Sequence, residues 1–240
     1  MINKTYIENF FTGLTFNEEL HKYFINGKLL EGSVSKIVER FHLQFEKEKI
    51  SYFIAKSKGV TQEEVLREWE ENNKKSIIKG NKIHKFCENY FYNKSTVPET
   101  LYDKYAIMLF HEIPNHIIPI APEVKMYHKE YLFPGTMDLL LYNTKKDKYI
   151  IVDYKSNEDL YKNYKGQKLL EPFDNYLDTP LNKYKIQLSL YQILIEQISD
   201  IKVENRAIFW IPERKIIFIE DFTDILKNYL KNEIQCYWKF

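Results

Sequence analysis

Two aspartates and a lysine are spaced so that one β-hairpin could bring them together. Residues 136–142 and 149–154 are rich in β-favouring residues and are separated by a polar turn cluster, which predicts two antiparallel strands. A hairpin that is symmetric about the middle of this turn places Asp138 directly opposite Asp153, with the two Cβ atoms about 5 Å apart. Lys155 shares the face of Asp153, because side chains alternate along a strand.

Carboxylates in contact within an apolar sheet repel each other unless a cation lies between them. Carboxylate oxygens are preferred ligands of hard divalent ions such as Mg²⁺, and an ammonium group beside such an ion can neutralise charge or orient water. The spacing therefore indicates a site for metal-assisted hydrolysis. A carboxylate pair also serves glycoside hydrolysis, but that chemistry leaves Lys155 without a role.

Gly135-x-x-Asp138 followed by Asp153-x-Lys155 resembles the motif of the PD-(D/E)XK nuclease superfamily. The nearest likeness is to its RecB-like branch and to the phage and mitochondrial single-strand exonucleases. The resemblance implies an α/β fold with a restriction-endonuclease-like core, in which the elements follow the order αβββαβ and a mixed sheet is flanked by helices. An N-terminal β-hairpin and a helical elaboration are expected in addition to this core.

Two predicted helices carry further motifs of the same family. His84 and Glu88 lie on one face of a helix whose Gly-x-x-x-His-x-x-x-Glu pattern resembles the helix that brings a histidine to the metal of RecB-like nucleases. On a predicted amphipathic helix, Gln187-x-x-x-Tyr191 matches the QxxxY motif of that branch. The resemblance implies that Gln187 helps to hold Lys155 or the attacking water, and that Tyr191 orients Lys155 or a strand phosphate.

The expected site can be stated residue by residue. The resemblance implies as catalytic residues Asp138, Asp153, Lys155, Gln187 and Tyr191. It implies as metal ligands His84, Asp138, Asp153 and the Tyr154 carbonyl, with Glu88 and Glu123 in support. The residues predicted to contact nucleic acid are Lys79, Lys82, Lys85, Lys165, Lys183 and Tyr184. The expected cofactor is Mg²⁺, and Mn²⁺ should substitute because a histidine nitrogen suits it.

Length and charge limit the class of protein. With 240 residues, of which 44 % are hydrophobic, the chain can bury one core. We expect a single nuclease domain over 1–240, with the elaboration in 1–78 and the catalytic core in 79–240. The net charge of +1 does not indicate nucleic acid, so any basic patch must be local. Residues 72–86 contain five lysines and no acid, which fits either such a patch or a solvated helix end.

Cysteine usage and hydropathy exclude several other classes. Cys87 and Cys236 are far apart and show no CxxC spacing, so neither a disulfide framework nor a structural zinc site is expected. The four-cysteine iron–sulfur cluster of some relatives is excluded for the same reason. The sequence shows no signal pattern and no apolar run that could cross a bilayer. We therefore expect a cytoplasmic protein of a bacterium or of a phage-infected host cell.

Local signals outline the remaining elements. Asn26-Gly27 between two β-favouring runs predicts an N-terminal hairpin. Thr61-x-x-Glu64 is a capping box that predicts a helix through about residue 73, before the separate helix of residues 82–92. The later elements are predicted as a helix over 98–116, a strand over 117–133, a helix over 184–197, strands over 206–211 and 215–219, and a helix from Thr223.

Residues 156–183 are too long and too rich in Asn, Gly and Pro to form a simple turn. This segment resembles the corresponding insertion of the phage nucleases, and we expect it to be a loop that faces the substrate. An unstructured connector is the alternative.

The combined expectation is a metal-dependent DNA nuclease, an exonuclease of a phage-type recombination or repair system. Two alternatives stay open: a sequence- or structure-specific endonuclease of a defence system, and a non-catalytic nucleic-acid-binding protein on the same fold. The expected partner is DNA, as single strands or duplex ends. A single-strand-annealing protein, or another replication or recombination protein, is a candidate second partner, and the oligomeric state stays open.

Overall fold

The first part of the chain forms a small antiparallel sheet between short helices. In the computed structural model, which describes residues 2–20 and 22–234, the elements are α1 (Lys4–Phe10), β1 (Leu14–Asn17), β2 (Lys22–Ile25), β3 (Lys28–Leu29), α2 (Val34–Glu39) and α3 (Lys47–Lys58). The strands lie in the order β1-β2-β3. Asn26 and Gly27 join β2 to β3 with φ of 49° and 80°, values that these two residue types adopt most readily. The predicted N-terminal hairpin is confirmed, and β1 adds a strand that the sequence did not indicate.

A helix of 31 residues, α4 (Gln62–Tyr92), runs where the sequence predicted two helices. It begins at the predicted capping box. The Thr61 hydroxyl accepts a hydrogen bond from the Glu64 backbone amide, and the Glu64 carboxylate accepts one from the Thr61 backbone amide. The predicted break between residues 73 and 82 is wrong. Gly80 lies inside the helix, because one glycine lowers helix propensity without ending a helix. The expected boundary between 1–78 and 79–240 therefore lies within α4.

The central layer is a five-stranded mixed sheet. After α5 (Leu101–His111), the elements are β4 (Ile117–Tyr127), β5 (Pro134–Asn143), β6 (Lys148–Lys155), α6 (Pro180–Ile195), β7 (Val203–Trp210), β8 (Lys215–Phe218), α7 (Thr223–Tyr229) and a π-helical turn, Leu230–Ile234. The strands lie in the order β4-β5-β6-β7-β8, and only β6 and β7 run parallel. The succession α4-β4-β5-β6-α6-β7 is the predicted αβββαβ order, and the predicted fold class is confirmed.

Alternation along β6 divides its side chains between two cores. Ile151 packs in the core that contains most of α6, whereas Val152 and Tyr154 pack in a second core with residues of α4 and α5. The strand is buried on both faces, so it reads as a nearly continuous apolar run. Asp153 and Lys155 follow Ile151 on the α6 side, because residues two apart share a face.

The segment 156–183 is packed along much of its length. Leu160, Leu169 and Phe173 are buried in the core that contains α6. The Phe173 ring lies 4.9 Å from the Phe41 ring, and the Leu170 amide donates to the Phe41 carbonyl oxygen over 2.7 Å. The segment is thus held by its apolar side chains, and its role toward substrate stays a prediction.

Cys236 lies outside the described part of the chain. Cys87 is buried on α4. Within residues 2–20 and 22–234, none of the helices combines the length and the apolar character that a membrane span requires.

Candidate active site

Three acidic residues, Glu123, Asp138 and Asp153, lie at the same level on the adjacent strands β4, β5 and β6. The β5–β6 ladder pairs Leu139 with Val152, which is the predicted register, and Asp138 and Asp153 are the next residues beyond that pair. The Tyr154 amide donates to an Asp138 carboxylate oxygen over 2.7 Å, which fixes this carboxylate against β6. The hairpin therefore brings the two aspartates to the same end of the strand pair.

Glu123 adds a carboxylate from β4. The β4–β5 ladder pairs Pro122 with Leu139 and Val124 with Met137, so Glu123 lies at the level of Asp138. Its φ of 47° places the backbone in the left-handed region, which is uncommon for a residue other than glycine. Such strain persists only where the surrounding structure imposes it, and it is frequent at functional sites.

His84 reaches this group of acids from α4. Its Nδ1 atom lies 3.2 Å from Asp138 Oδ1 and 3.9 Å from Glu123 Oε1. Its Nε2 atom lies 3.1 Å from the Tyr154 carbonyl oxygen. One ligand atom each from His84, Glu123 and Asp138 lie within 4.8 Å of one another, a spacing that a single metal ion could bridge.

The charges of these side chains are strongly coupled. Burial lowers the pKa of His84, but the Asp138 carboxylate outweighs that effect and raises the pKa to about 9. Burial raises the pKa of Asp138, but the charge and hydrogen bond of His84, together with Lys155 and the Tyr154 amide, outweigh it and hold this pKa below its usual value. Burial, and then the charge of Asp138, raise the pKa of Glu123 to about 7 and that of Asp153 to about 6. The crowded carboxylates thus favour any additional positive charge.

The donor set fits a hard divalent cation. It offers carboxylate oxygens and a backbone carbonyl oxygen, which suit Mg²⁺, and one imidazole nitrogen, which suits Mn²⁺. The three-ligand cluster of His84, Glu123 and Asp138 differs from the expected set, since it includes Glu123 in place of Asp153. Glu123 was expected only as a supporting residue, because a lone glutamate on a predicted strand carries little signal.

Asp153 pairs with Lys155 at the end of β6. The Lys155 Nζ atom also donates to Gln187 Oε1 over 3.4 Å and lies 4.2 Å from the centre of the Tyr184 ring. Burial lowers the pKa of Lys155, but the Asp153 carboxylate, Tyr184 and Asp138 together outweigh it, and the resulting pKa lies above the usual value. The ammonium group is therefore charged at neutral pH.

Gln187, the first residue of the QxxxY pair on α6, hydrogen-bonds to this lysine. The Gln187 side-chain amide donates to the Tyr191 hydroxyl over 2.9 Å, while its oxygen accepts from Lys155. Tyr191 in turn packs against Gly135, where an added Cβ atom would lie 2.8 Å from Tyr191 Cε1. A side chain at position 135 would therefore displace Tyr191 or Val34.

The residues predicted to contact nucleic acid lie in different settings. Lys79, Lys85 and Lys183 form ion pairs with Glu158, Glu88 and Asp178, at 3.6, 2.8 and 2.8 Å respectively. Lys82 and Lys165 are exposed. Tyr184 lies under Lys155, and its hydroxyl donates to Asn157 Oδ1 over 2.7 Å. Their role with nucleic acid stays a prediction.

Sequence reasoning missed two residues that support the site. The Asn157 side-chain oxygen accepts a hydrogen bond from the Tyr184 hydroxyl. The Asn157 backbone carbonyl oxygen accepts a second one from Trp210 Nε1 over 2.7 Å. Tyr23 of β2 shares a 2.7 Å hydrogen bond with the Thr136 hydroxyl and so fixes the small sheet to β5. Asn157 lies two positions after Lys155, which was a usable signal, whereas nothing in the sequence pairs Tyr23 with Thr136.

Comparison with known proteins agrees with this geometry. The family model described as the PD-(D/E)XK nuclease superfamily matches residues 20–228. No curated protein matches the chain significantly. The match covers most of the chain, and it includes β2 and β3 of the small N-terminal sheet and the strands that carry Asp138, Asp153 and Lys155. The chain therefore belongs to the PD-(D/E)XK nuclease superfamily.

Proposed function

We propose that this chain is a Mg²⁺-dependent deoxyribonuclease, an exonuclease that hydrolyses phosphodiester bonds in single strands or at duplex ends. Membership in the superfamily, together with the cluster of potential metal ligands, supports a metal-dependent nuclease. The observation that carries the proposal is the meeting of Asp138, Asp153 and Lys155 with His84 of a distant helix. Binding of nucleic acid without cleavage would not require all four groups together.

The proposed ligands are His84, Asp138, Asp153 and the Tyr154 carbonyl oxygen, with Glu123 close to His84 and Asp138. These groups offer negative charge in a buried setting, which is where a divalent cation is held most firmly. When bound, Mg²⁺ supplies positive charge to the scissile phosphate and lowers the pKa of a nearby water molecule.

Lys155 is the proposed catalytic cation of the chain itself. Its ammonium group is charged, its side chain is 13 % exposed, and Asp153 and Gln187 hold it in place. From there it can orient an attacking water molecule and stabilise the negative charge that develops on the phosphate. We assign it these two roles, both of which require a charged ammonium group.

Gln187 and Tyr191 act through Lys155 as positioning residues. Gln187 contacts the ammonium group with its oxygen and the Tyr191 hydroxyl with its nitrogen, so its amide has one orientation. A fixed ammonium group costs less reorganisation when charge develops on the phosphate. The likeness of this pair to the QxxxY motif supports placement in the RecB-like branch, and with it an exonuclease of phage-type recombination or repair.

The test is digestion of end-labelled oligonucleotides, single-stranded and double-stranded, with Mg²⁺, Mn²⁺ or EDTA. We expect metal-dependent shortening from an end, and no cutting of closed circular DNA. Cutting of the closed circle would instead favour an endonuclease of a defence system. Binding of DNA without cleavage in either metal would favour the non-catalytic alternative and overturn the proposal.

A partner for such an exonuclease is a protein that takes up the single strand left by digestion. A single-strand-annealing protein, or another replication or recombination protein, fits this need. Co-purification with such a protein on partially digested DNA would test that part of the proposal.

A further inference from the structure

We propose that residues 161–168 form a stacking platform for single-stranded nucleic acid, in which the rings of Tyr161 and Tyr164 receive successive bases. This inference rests on the proposed function, since it names the strand form that the same active site takes up. The segment has the sequence YKNYKGQK, with three lysines, two tyrosines and no acid. Aromatic rings interleaved with cations are what single-strand binding uses.

The two tyrosines are exposed, although the residues around them are anchored. Tyr161 is 57 % exposed and Tyr164 is 61 % exposed, whereas the preceding Leu160 is fully buried. The Leu181 amide donates to the Leu160 carbonyl oxygen over 2.9 Å. Exposed rings on an anchored segment keep their faces available to stack on bases.

Hydrogen bonds to backbone carbonyl groups hold the loop that carries the two tyrosines. The Asn163 side-chain amide donates to the carbonyl oxygens of Gln167 and Asp178, over 2.8 and 2.9 Å. The Gln167 amide donates to the Tyr164 carbonyl oxygen over 3.0 Å, which closes a tight turn through Lys165 and Gly166. Binding to such an ordered loop costs less conformational entropy than binding to a mobile one.

A continuous series of contacts leads from this platform to the catalytic lysine. The Tyr161 ring lies 6.0 Å from the Trp210 ring, at an angle of 70°. Trp210 donates to the Asn157 carbonyl oxygen, and Asn157 accepts from Tyr184. The Tyr184 ring in turn lies 4.2 Å from Lys155 Nζ. The platform and the ammonium group are thus linked by one connected set of side chains, and we expect a strand on the platform to extend to the active site.

The charges beside the rings match a phosphate backbone. Lys162, Lys165 and Lys168 are all exposed, and Lys165 Nζ lies 5.3 Å from the centre of the Tyr164 ring. A base has a free face for stacking only where it is not already stacked on both sides. We therefore expect the platform to select single strands, and the tyrosines to contribute nothing to binding of an intact duplex.

The experiment measures binding in EDTA, so that no strand is cut. The probes are a fluorescein-labelled oligothymidine of about 16 nucleotides and a blunt duplex, titrated with the wild-type chain, Tyr161→Ala, Tyr164→Ala, Tyr161→Phe and Tyr164→Phe. Tyr92→Ala is the matched control, since Tyr92 is 62 % exposed and lies at the end of α4. Circular dichroism of each variant confirms the fold.

We expect each alanine variant to bind oligothymidine about 5- to 100-fold more weakly, and each phenylalanine variant to stay within about twofold, because the ring is kept. Tyr92→Ala should match the wild type, and duplex binding should not change. Wild-type affinity in both alanine variants, an equal loss for duplex, or no wild-type binding of oligothymidine would overturn the platform. Failure of the proposed function shows separately, as wild-type binding without metal-dependent cleavage.

Discussion

The His84 ring bridges two residues of the β-hairpin, with Nδ1 3.2 Å from Asp138 Oδ1 and Nε2 3.1 Å from the Tyr154 carbonyl oxygen. Both ring nitrogens face an acceptor, which is the arrangement of a doubly protonated imidazole. The raised pKa of His84, about 9, agrees with that assignment. In this form both ring nitrogens of His84 carry protons, so neither has a free lone pair with which to bind a metal ion.

The first prediction concerns the pH dependence of metal binding. His84, with a pKa of about 9, and Asp153, with a pKa of about 6, must both lose protons before they can coordinate a cation, and Glu123 beside them, with a pKa of about 7, contributes its negative charge only after it has lost its proton. Affinity for Mn²⁺ should therefore rise with pH, by about tenfold per unit for each proton displaced. Calorimetric titration between pH 6 and 9, in buffers of different ionisation enthalpy, measures both the affinity and the protons released.

His84→Ala is the control for this experiment. It should bind Mn²⁺ more weakly and release about one proton fewer at pH 8 than the wild type does. Equal proton release by the two proteins would show that His84 does not coordinate the ion.

The second prediction concerns the acidic pair and the lysine. Asp138→Asn, Asp153→Asn and Lys155→Met should each lower the rate of cleavage by at least about 10³-fold, because each removes a charge from the reacting centre. Lys155→Met keeps the length of the side chain, so the loss does not come from a cavity. The measurement is the single-turnover rate on a labelled single strand with saturating Mg²⁺.

Lys148→Ala is the matched control for the lysine. Lys148 is exposed at the opposite end of β6, so its removal should leave the rate unchanged. Cleavage at the wild-type rate by any of the three site variants, with the fold intact by circular dichroism, would contradict the assigned site.

The third prediction separates positioning from binding. Tyr191→Phe removes the acceptor for the Gln187 amide and leaves the rest of the ring in place. We expect kcat to fall about 3- to 10-fold with KM unchanged, and the free energy of unfolding to fall by about 1 kcal/mol. Gln187→Leu, which also loses the contact with Lys155, should lower kcat further. A change confined to KM in both variants would indicate a role in substrate binding instead.

The fourth prediction contrasts two glycines. A Cβ atom at Gly135 would lie 2.8 Å from both Tyr191 Cε1 and Val34 Cγ2, so Gly135→Ala should lower the free energy of unfolding by about 1–3 kcal/mol. At Gly80, inside α4, the nearest atom would be Ser156 Oγ at 3.8 Å. Gly80→Ala should therefore stabilise the chain by about 0.5–1 kcal/mol, since alanine favours a helix. Urea unfolding of both variants checks the signs, and destabilisation by both would refute the argument.

The fifth prediction concerns stability in acid. Burial lowers the pKa of His128 to about 4, and its Nδ1 atom accepts the amides of Glu130 and Tyr131 over 3.3 and 3.1 Å. In the unfolded chain His128 takes up a proton at about pH 6.5, whereas in the folded state it does so only at about pH 4. The contribution of the neutral imidazole to the free energy of unfolding is therefore complete above pH 6.5 and is lost as the pH falls to 4. Because the ring is partly exposed, we expect a loss of about 1–2 kcal/mol.

His128→Asn isolates this effect. The variant cannot titrate in this range, while all carboxyl groups titrate as in the wild type. The difference in unfolding free energy between the two proteins should therefore shrink as the pH is lowered from 7 to 4.5. A difference that stays constant over that range would assign the acid sensitivity to other groups.

The hairpin at the site could be predicted from sequence because its determinants are local. Alternation of apolar residues and the length of the turn fix the register, so Leu139 pairs with Val152 and the two aspartates meet at the next position. Capping at Thr61 and the Asn26-Gly27 turn are equally local, and both are confirmed. Local signals also misled, since Gly80 suggested a helix break that the packing of α4 overrides.

Contacts between distant segments were decided by the tertiary structure alone. His84 and Asp138 meet because α4 packs beside the sheet, and Glu123 joins them because β4 departs from regular geometry at that residue. No spacing in the sequence encodes either event. Residue types and short-range spacing therefore determined which groups are candidates for the chemistry, while long-range packing decided which of them touch, because side-chain burial depends on elements that lie far apart along the chain.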